Sequence, residues 1–169
     1  MPKSYLIWKW TVYSLVTLVL ATLQYLVLDQ IQLWGLRPFL YPMLPAVVAS
    51  YEGLRRGSVF ALCLGVVCDL LLPAPFRGFF TLTFTLIGLL SGRIGESALP
   101  SGWLCGLLVS ALAMLLTGGA RMLVQLLSGG GYLALMGRMV LIETAITLPA
   151  LLVVLPLYRR VFHKLPNEY

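Results

Sequence analysis

The chain has 169 residues, 60% of them hydrophobic and 11% charged, with a mean hydropathy of +0.94 and a formal net charge of +6. So apolar a composition excludes an ordinary soluble domain and leaves no stretch for a soluble catalytic one. The twelve Lys and Arg are scattered between apolar runs rather than gathered in a patch, which argues against nucleic acid as a partner and makes them topology signals.

Hydropathy, punctuated by Gly, Pro and charge, predicts an all-α integral membrane protein, a compact bundle of six transmembrane helices in one polytopic domain covering residues 1–169. Continuous apolar runs without period-2 alternation argue against a membrane barrel. The first span, 10–28, follows Lys3 and Lys9; it is longer than a signal-peptide core and lacks a small-residue cleavage pattern, so a retained helix is expected. The second, 39–51, is short and carries Pro42 and Pro45, which favour a kink or a broken helix. A turn containing Glu52, Arg55 and Arg56 follows, read as a solvated charge pairing.

The third span, 57–72, ends in Gly65-Val66-Val67-Cys68-Asp69-Leu70-Leu71-Leu72-Pro73, which puts a carboxylate near its outer end. Two GxxxG pairs lie at one depth, Gly88 with Gly92 at the cytoplasmic end of the fourth span, 79–90, and Gly102 with Gly106 at the start of the fifth, 103–127, read as close packing of these two helices on each other. The sixth, 139–157, leads into a basic tail. With the N-terminus inside, cytoplasmic segments hold Lys3, Lys9, Arg55, Arg56, Arg93, Arg159, Arg160 and Lys164 against Arg37, Arg77 and Arg138 outside. That bias puts both termini of a multi-pass membrane protein in the cytoplasm.

Three ionisable residues fall inside spans at similar depth. Arg121 lies about 27 Å along its helix from Trp103, Asp69 is one turn from the end of the third span, and Glu143 is about 7 Å below Arg138. An unpaired charge in hydrocarbon costs several kcal/mol, so Arg121 is expected to pair with Asp69 or Glu143, with Gln125 one turn further on joining them. No catalytic, metal or cofactor-binding residue is assigned. The sole histidine, His163, sits in the tail, away from any serine in a span. Asp29 and Asp69 lack the surroundings of an aspartyl signal peptidase, and no dense aspartate run, P-loop, GxGxxG, HExxH or CxxC is present. Cys63, Cys68 and Cys105 read as small packing residues.

The whole-chain plan, the prolines Pro42 and Pro45 before the small charged turn Glu52-Gly53-Leu54-Arg55-Arg56-Gly57, and the series Gly65, Asp69 and Gly78 resemble the MreD family of rod shape-determining membrane proteins. The resemblance covers nearly the full chain. It departs at Pro73-Ala74-Pro75-Phe76-Arg77-Gly78, a bulkier and more basic turn than the family's short Pro-Leu-Gly type. It implies a non-enzymatic scaffold of the cell-elongation machinery, without cofactor, that binds MreC directly. It also implies association with the actin-like MreB filament system and, through MreC and MreB or directly, with the RodA glycosyltransferase and the elongation penicillin-binding transpeptidase, which build lateral peptidoglycan. The alternative is a substrate-binding S component of an energy-coupling-factor vitamin transporter, a six-helix protein whose fold the MreD family is thought to share; there the charged cluster would line a pocket.

Overall fold

The computed structural model describes residues 3–27, 30, 38–97, 103–129 and 133–164. These residues are 89% helical. The helices are α1 (Lys3–Leu26), α2 (Met43–Leu71), α3 (Phe79–Ser97), α4 (Trp103–Leu127), α5 (Leu133–Thr147) and α6 (Leu151–Lys164), with a 3₁₀ turn at Leu148–Ala150 between the last two. Asp29, Arg37 and Gly102, named above, lie outside the described residues.

The second and third sequence spans form one element, α2, interrupted at Gly53 (φ 80°, ψ −178°). That left-handed φ is open to glycine at little cost and closed to most other residues. The break is sharp: a Cβ on Gly57 would collide with the backbone of Ala49, eight residues earlier, whereas a straight helix would separate these two by about 12 Å. The two arms, 43–52 and 54–71, therefore fold back on each other. Pro42 and Pro45 do not cause this, contrary to the sequence expectation. Pro42 is the N-cap of α2 and Pro45 lies in its first turn, where the missing amide hydrogen has no helical partner to lose.

The first arm is buried at every residue from Met43 to Glu52. One side, with Met43, Leu44, Val47, Val48 and Tyr51, packs with Tyr13 and Leu20 of α1, Met114 of α4, and Leu151, Val154, Leu155 and Tyr158 of α6. Ala46 faces a second cluster of Phe79, Phe80, Phe84 and Ile87 from α3 with Cys105, Val109 and Ala113 from α4. Ten residues rise only about 15 Å, half a hydrocarbon core, so this arm is a central post shorter than an ordinary span.

The chain enters the post through a segment in which the Pro38 and Leu40 carbonyls and the Phe39 and Leu40 amides are each matched. Gln24 Nε2 donates to the Pro38 carbonyl at 2.6 Å, and the Leu40 amide donates to Gln24 Oε1 at 3.1 Å. The Phe39 amide donates to Thr147 Oγ1 at 3.3 Å, and the Leu40 carbonyl accepts from the Met43 amide at 2.9 Å. Non-helical backbone in an apolar interior requires such matching.

Contacts along the chain give an up-and-down order with two ends. Lys9, Glu52, Leu54 and Glu96 meet at one end; Gln24, Leu40, Asp69, Phe80, Arg121 and Glu143 lie at the other. The second arm of α2 and α3 form the most extensive helix pair, in close approach along their length. A Cβ at Gly65 would lie 2.7 Å from Thr81 Cα, one at Gly88 would lie 2.6 Å from Ala61 Cβ, and one at Gly92 would lie 2.7 Å from Leu54 Cα. Gly88 and Gly92 thus pack on α2, not on α4 as the sequence suggested, and Gly106 faces Leu155 of α6. α2 is the neighbour because its small residues Gly57 and Ala61 match theirs.

The last sequence span is also divided, at Leu148–Ala150, where Pro149 removes an amide donor. Among the described residues, α4 alone is long and apolar enough to cross a membrane; α5 and α6 qualify jointly as a pair bent by 48°. In α1 the hydropathy is interrupted by Lys9, Thr17 and Gln24, which are buried, and in α2 and α3 by Arg55, Arg56, Arg93 and Glu96, which are exposed.

Candidate functional site

Helix α1 shows an inverted polarity. Its buried face is Lys9, Tyr13, Thr17, Leu20 and Gln24, spaced four, four, three and four apart, the repeat of one helical stripe. Its exposed face carries Ile7, Trp8, Leu15, Leu18, Val19 and Leu23. The polar side is inside and the apolar side is outside, the reverse of a soluble amphipathic helix.

At one end of this stripe, Lys9 Nζ lies 2.7 Å from Glu52 Oε1, with both side chains only 1% exposed. Tyr13 donates its hydroxyl to the same Glu52 oxygen at 2.8 Å. Glu52 is therefore a buried hub between α1 and the central post, not the solvated partner of Arg55 and Arg56 expected from the turn sequence. The correction has a physical cause: Glu52 is the last residue of a fully buried arm, and the chain emerges only after Gly53, so Arg55 and Arg56 are exposed. Burial of this kind demands a cation and hydrogen bonds together.

The network continues along α1. Thr17 Oγ1 donates to the Tyr13 carbonyl at 2.8 Å and lies 2.8 Å from Tyr158 Oη. A hydroxyl has one proton, so Tyr158 must be the donor to Thr17. Tyr13 and Tyr158 stack with ring centroids 6.0 Å apart, which joins α6 to the same assembly.

The sequence reading missed Lys9, Tyr13 and Tyr158, counting Lys9 only as a topology charge. The usable signal was the four-residue spacing of Lys9, Tyr13 and Thr17 in an otherwise apolar helix.

At the opposite end, the expected cluster divides in two. Arg121 Nη1 and Glu143 Oε1 are 3.6 Å apart, an ion pair between α4 and α5 with side chains 32% and 19% exposed. The guanidinium lies over Phe39, 4.3 Å from its ring centroid, and 5.9 Å from that of Phe80. Beneath it is a cavity of about 10 Å³, lined among others by Thr117, Gly118, Val140 and Thr144, with room for roughly one water. Thr117 and Thr144 donate to the carbonyls of Ala113 and Val140, one turn back, so they enter this apolar region already satisfied.

Asp69 is not part of this pair. It caps the start of α3: Oδ1 accepts from the Phe80 amide at 2.9 Å, and Oδ2 accepts from the Thr81 amide at 2.8 Å and the Thr81 hydroxyl at 2.6 Å. The first amides of a helix have no internal acceptor, and the positive end of the helix dipole favours an anion. Asp69 therefore needs no arginine.

The intervening turn closes through Gly78 at φ 89°, and an added Cβ there meets nothing within 4 Å. Gln125 is exposed and outside both assemblies.

All three cysteines are free thiols, with Cys68 and Cys105 in the second apolar cluster and Cys63 exposed. Among the described residues no three His, Cys, Asp or Glu side chains converge as metal ligands would. Comparison with family models, with curated proteins and with solved structures finds no match.

Proposed function

We propose that the chain is a multi-pass membrane protein with a non-enzymatic, scaffolding role of the MreD kind, holding MreC and through it organising lateral wall synthesis. The observation that carries the membrane part is the inverted polarity. Leu18 of α1, Leu70 of α2, Leu82 of α3, Leu104 of α4, Leu141 of α5 and Leu152 of α6 are exposed, while Lys9, Thr17, Gln24, Glu52, Ser91, Ser110, Thr117, Thr144 and Thr147 are buried. Lipid rewards an apolar exterior on every side; water does not.

The placing of basic residues supports the topology: among the described residues Lys9, Arg55, Arg56, Arg93, Arg159 and Arg160 belong to the Glu52 end and Arg77 and Arg138 to the Asp69 end, with Arg121, inside a span, counted for neither. With the Glu52 end in the cytoplasm, the up-and-down order accounts for six crossings, the short central post and its lead-in making one of them and α5 with α6 another.

The scaffold reading over the vitamin-binding one is supported by the role of each charge. Lys9 and Glu52 neutralise each other, Asp69 caps a helix, and Arg121 with Glu143 borders a cavity of about 10 Å³. Pockets that enclose a small molecule run to roughly 300–1,000 Å³. MreC and the elongation enzymes enter through the sequence resemblance alone.

The test is purification in mild detergent from a rod-shaped bacterium carrying a tagged copy, followed by mass spectrometry of the intact eluate and of its small-molecule extract. Stoichiometric MreC supports the scaffold. A bound vitamin-like compound without MreC overturns it in favour of the S component.

A further inference from the structure

We infer that the outer seam between α3 and α4 is a binding site for an anionic phospholipid, with its phosphate on Arg121 and one acyl chain in the apolar groove on the adjacent face of α4. This rests on the membrane reading above and goes beyond it.

The first observation is the incomplete pairing of Arg121. A guanidinium has five donors in a fixed fork. Its acidic neighbour, Glu143, is 3.6 Å away, beyond hydrogen-bond range, and its other contacts are the rings of Phe39 and Phe80. Among the described residues no acceptor completes it, while a third of the side chain is exposed. At about 27 Å from Trp103 the group sits near the far boundary of a ~30 Å hydrocarbon core, the level from which arginine reaches lipid phosphates.

The second observation is independent of charge. An open groove of about 180 Å³ is lined by Leu82, Thr83 and Leu86 of α3 and Leu116 and Ala120 of α4. Arg121 itself lines the neighbouring cavity towards α5, but Ala120 of the groove precedes it on α4, and Leu82 lies two residues beyond Phe80, whose ring centroid is 5.9 Å from the guanidinium. From this level the groove runs inward by one helical turn on both helices, from Leu82 to Leu86 and from Ala120 to Leu116, about 6 Å towards the bilayer centre. A cation at headgroup level above an apolar channel matches a charged head and an acyl tail in order and orientation. Arg77 and Arg138, both exposed at the same end, add to the attraction for an anion.

Native mass spectrometry of the full chain with dioleoyl-phosphatidylglycerol, dioleoyl-phosphatidylcholine or inorganic phosphate tests this, after flotation with phosphatidylcholine vesicles establishes membrane association. The expected result is a retained phosphatidylglycerol adduct, weakened about tenfold by Arg121→Gln, with the loss of a charge-assisted contact. Leu86→Trp, which fills the groove without touching the ion pair, should weaken it comparably, and neither phosphatidylcholine nor inorganic phosphate should match it. Adducts indifferent to Leu86→Trp, or equal retention of inorganic phosphate or phosphatidylcholine, overturn the inference. If the chain floats but shows no adduct, the lipid site alone falls; if it does not float, the membrane reading falls with it.

Discussion

Removing either partner of the Lys9 and Glu52 pair should be far more damaging than removing both. The two side chains are 1% exposed and 2.7 Å apart, so Lys9→Met leaves a carboxylate, and Glu52→Gln an ammonium, buried without its counter-charge. Breaking such a pair costs about 3–5 kcal/mol, a factor of roughly 10² to 5 × 10³ in the folding equilibrium. Glu52→Gln is chosen because its amide oxygen still accepts from the Tyr13 hydroxyl, which otherwise would lose its partner at a further cost of about 1–3 kcal/mol. The double variant Lys9→Met with Glu52→Gln buries no charge and keeps that hydrogen bond. It should return to within about 1 kcal/mol of the parent, a coupling of several kcal/mol between the sites. The assay is reversible unfolding in mixed micelles, followed by tryptophan fluorescence, with the monodisperse fraction after extraction as a second readout. Single variants within about 0.5 kcal/mol of the parent, or a double variant as poor as the sum of its parts, would refute the buried-pair reasoning.

Asp69→Ala should destabilise by about 1–2 kcal/mol through loss of the cap on α3, and Asp69→Asn by less, because one oxygen remains as an acceptor; chemical denaturation in detergent orders the three. Gly78→Ala should cost about 1–2 kcal/mol from its left-handed φ alone, since no atom obstructs the new methyl group, whereas Gly88→Leu should abolish the monodisperse species by colliding with Ala61 and Ser58 of α2. Arg121→Leu should lower folded yield by stranding Glu143, and adding Glu143→Gln should recover part of it, while adding Asp69→Asn should not; yields from matched expression cultures decide. For topology, Ser97→Cys in a chain lacking Cys63, Cys68 and Cys105 should resist a membrane-impermeant thiol reagent in intact cells and react after lysis. Labelling from outside would invert the assignment of the two ends.

Helical content and most element positions were legible because apolar runs bounded by Gly, Pro and charge mark helices directly. The internal breaks were less so. Proline drew attention in the second span, yet Pro42 and Pro45 begin a helix, and the reversal occurs at Gly53, whose φ of 80° has no compositional signature.

The charges divide by the range of their partners. Arg121 and Glu143 come together because depth along each helix can be counted from the sequence. Asp69 was assigned a cationic partner because a helix N-terminus eleven residues downstream does not register as a positive group until its amides are seen pointing at the carboxylate. Glu52 was misplaced for the opposite reason: nearby arginines offered an easy local pairing, while the true partner, Lys9, is 43 residues earlier in the chain. The glycine pairs show the same limit, since GxxxG marks a close approach but does not say which helix approaches.

The most direct test of the proposed role is depletion of the protein in a rod-shaped host whose growth depends on a plasmid copy, with cell shape followed by microscopy. The expected result is progressive rounding and dispersal of lateral wall synthesis, reversed by the parent chain and by the Lys9→Met and Glu52→Gln double variant, but not by either single variant. Cells that stay rod-shaped while losing uptake of a vitamin would contradict the scaffold and establish the transporter reading in its place.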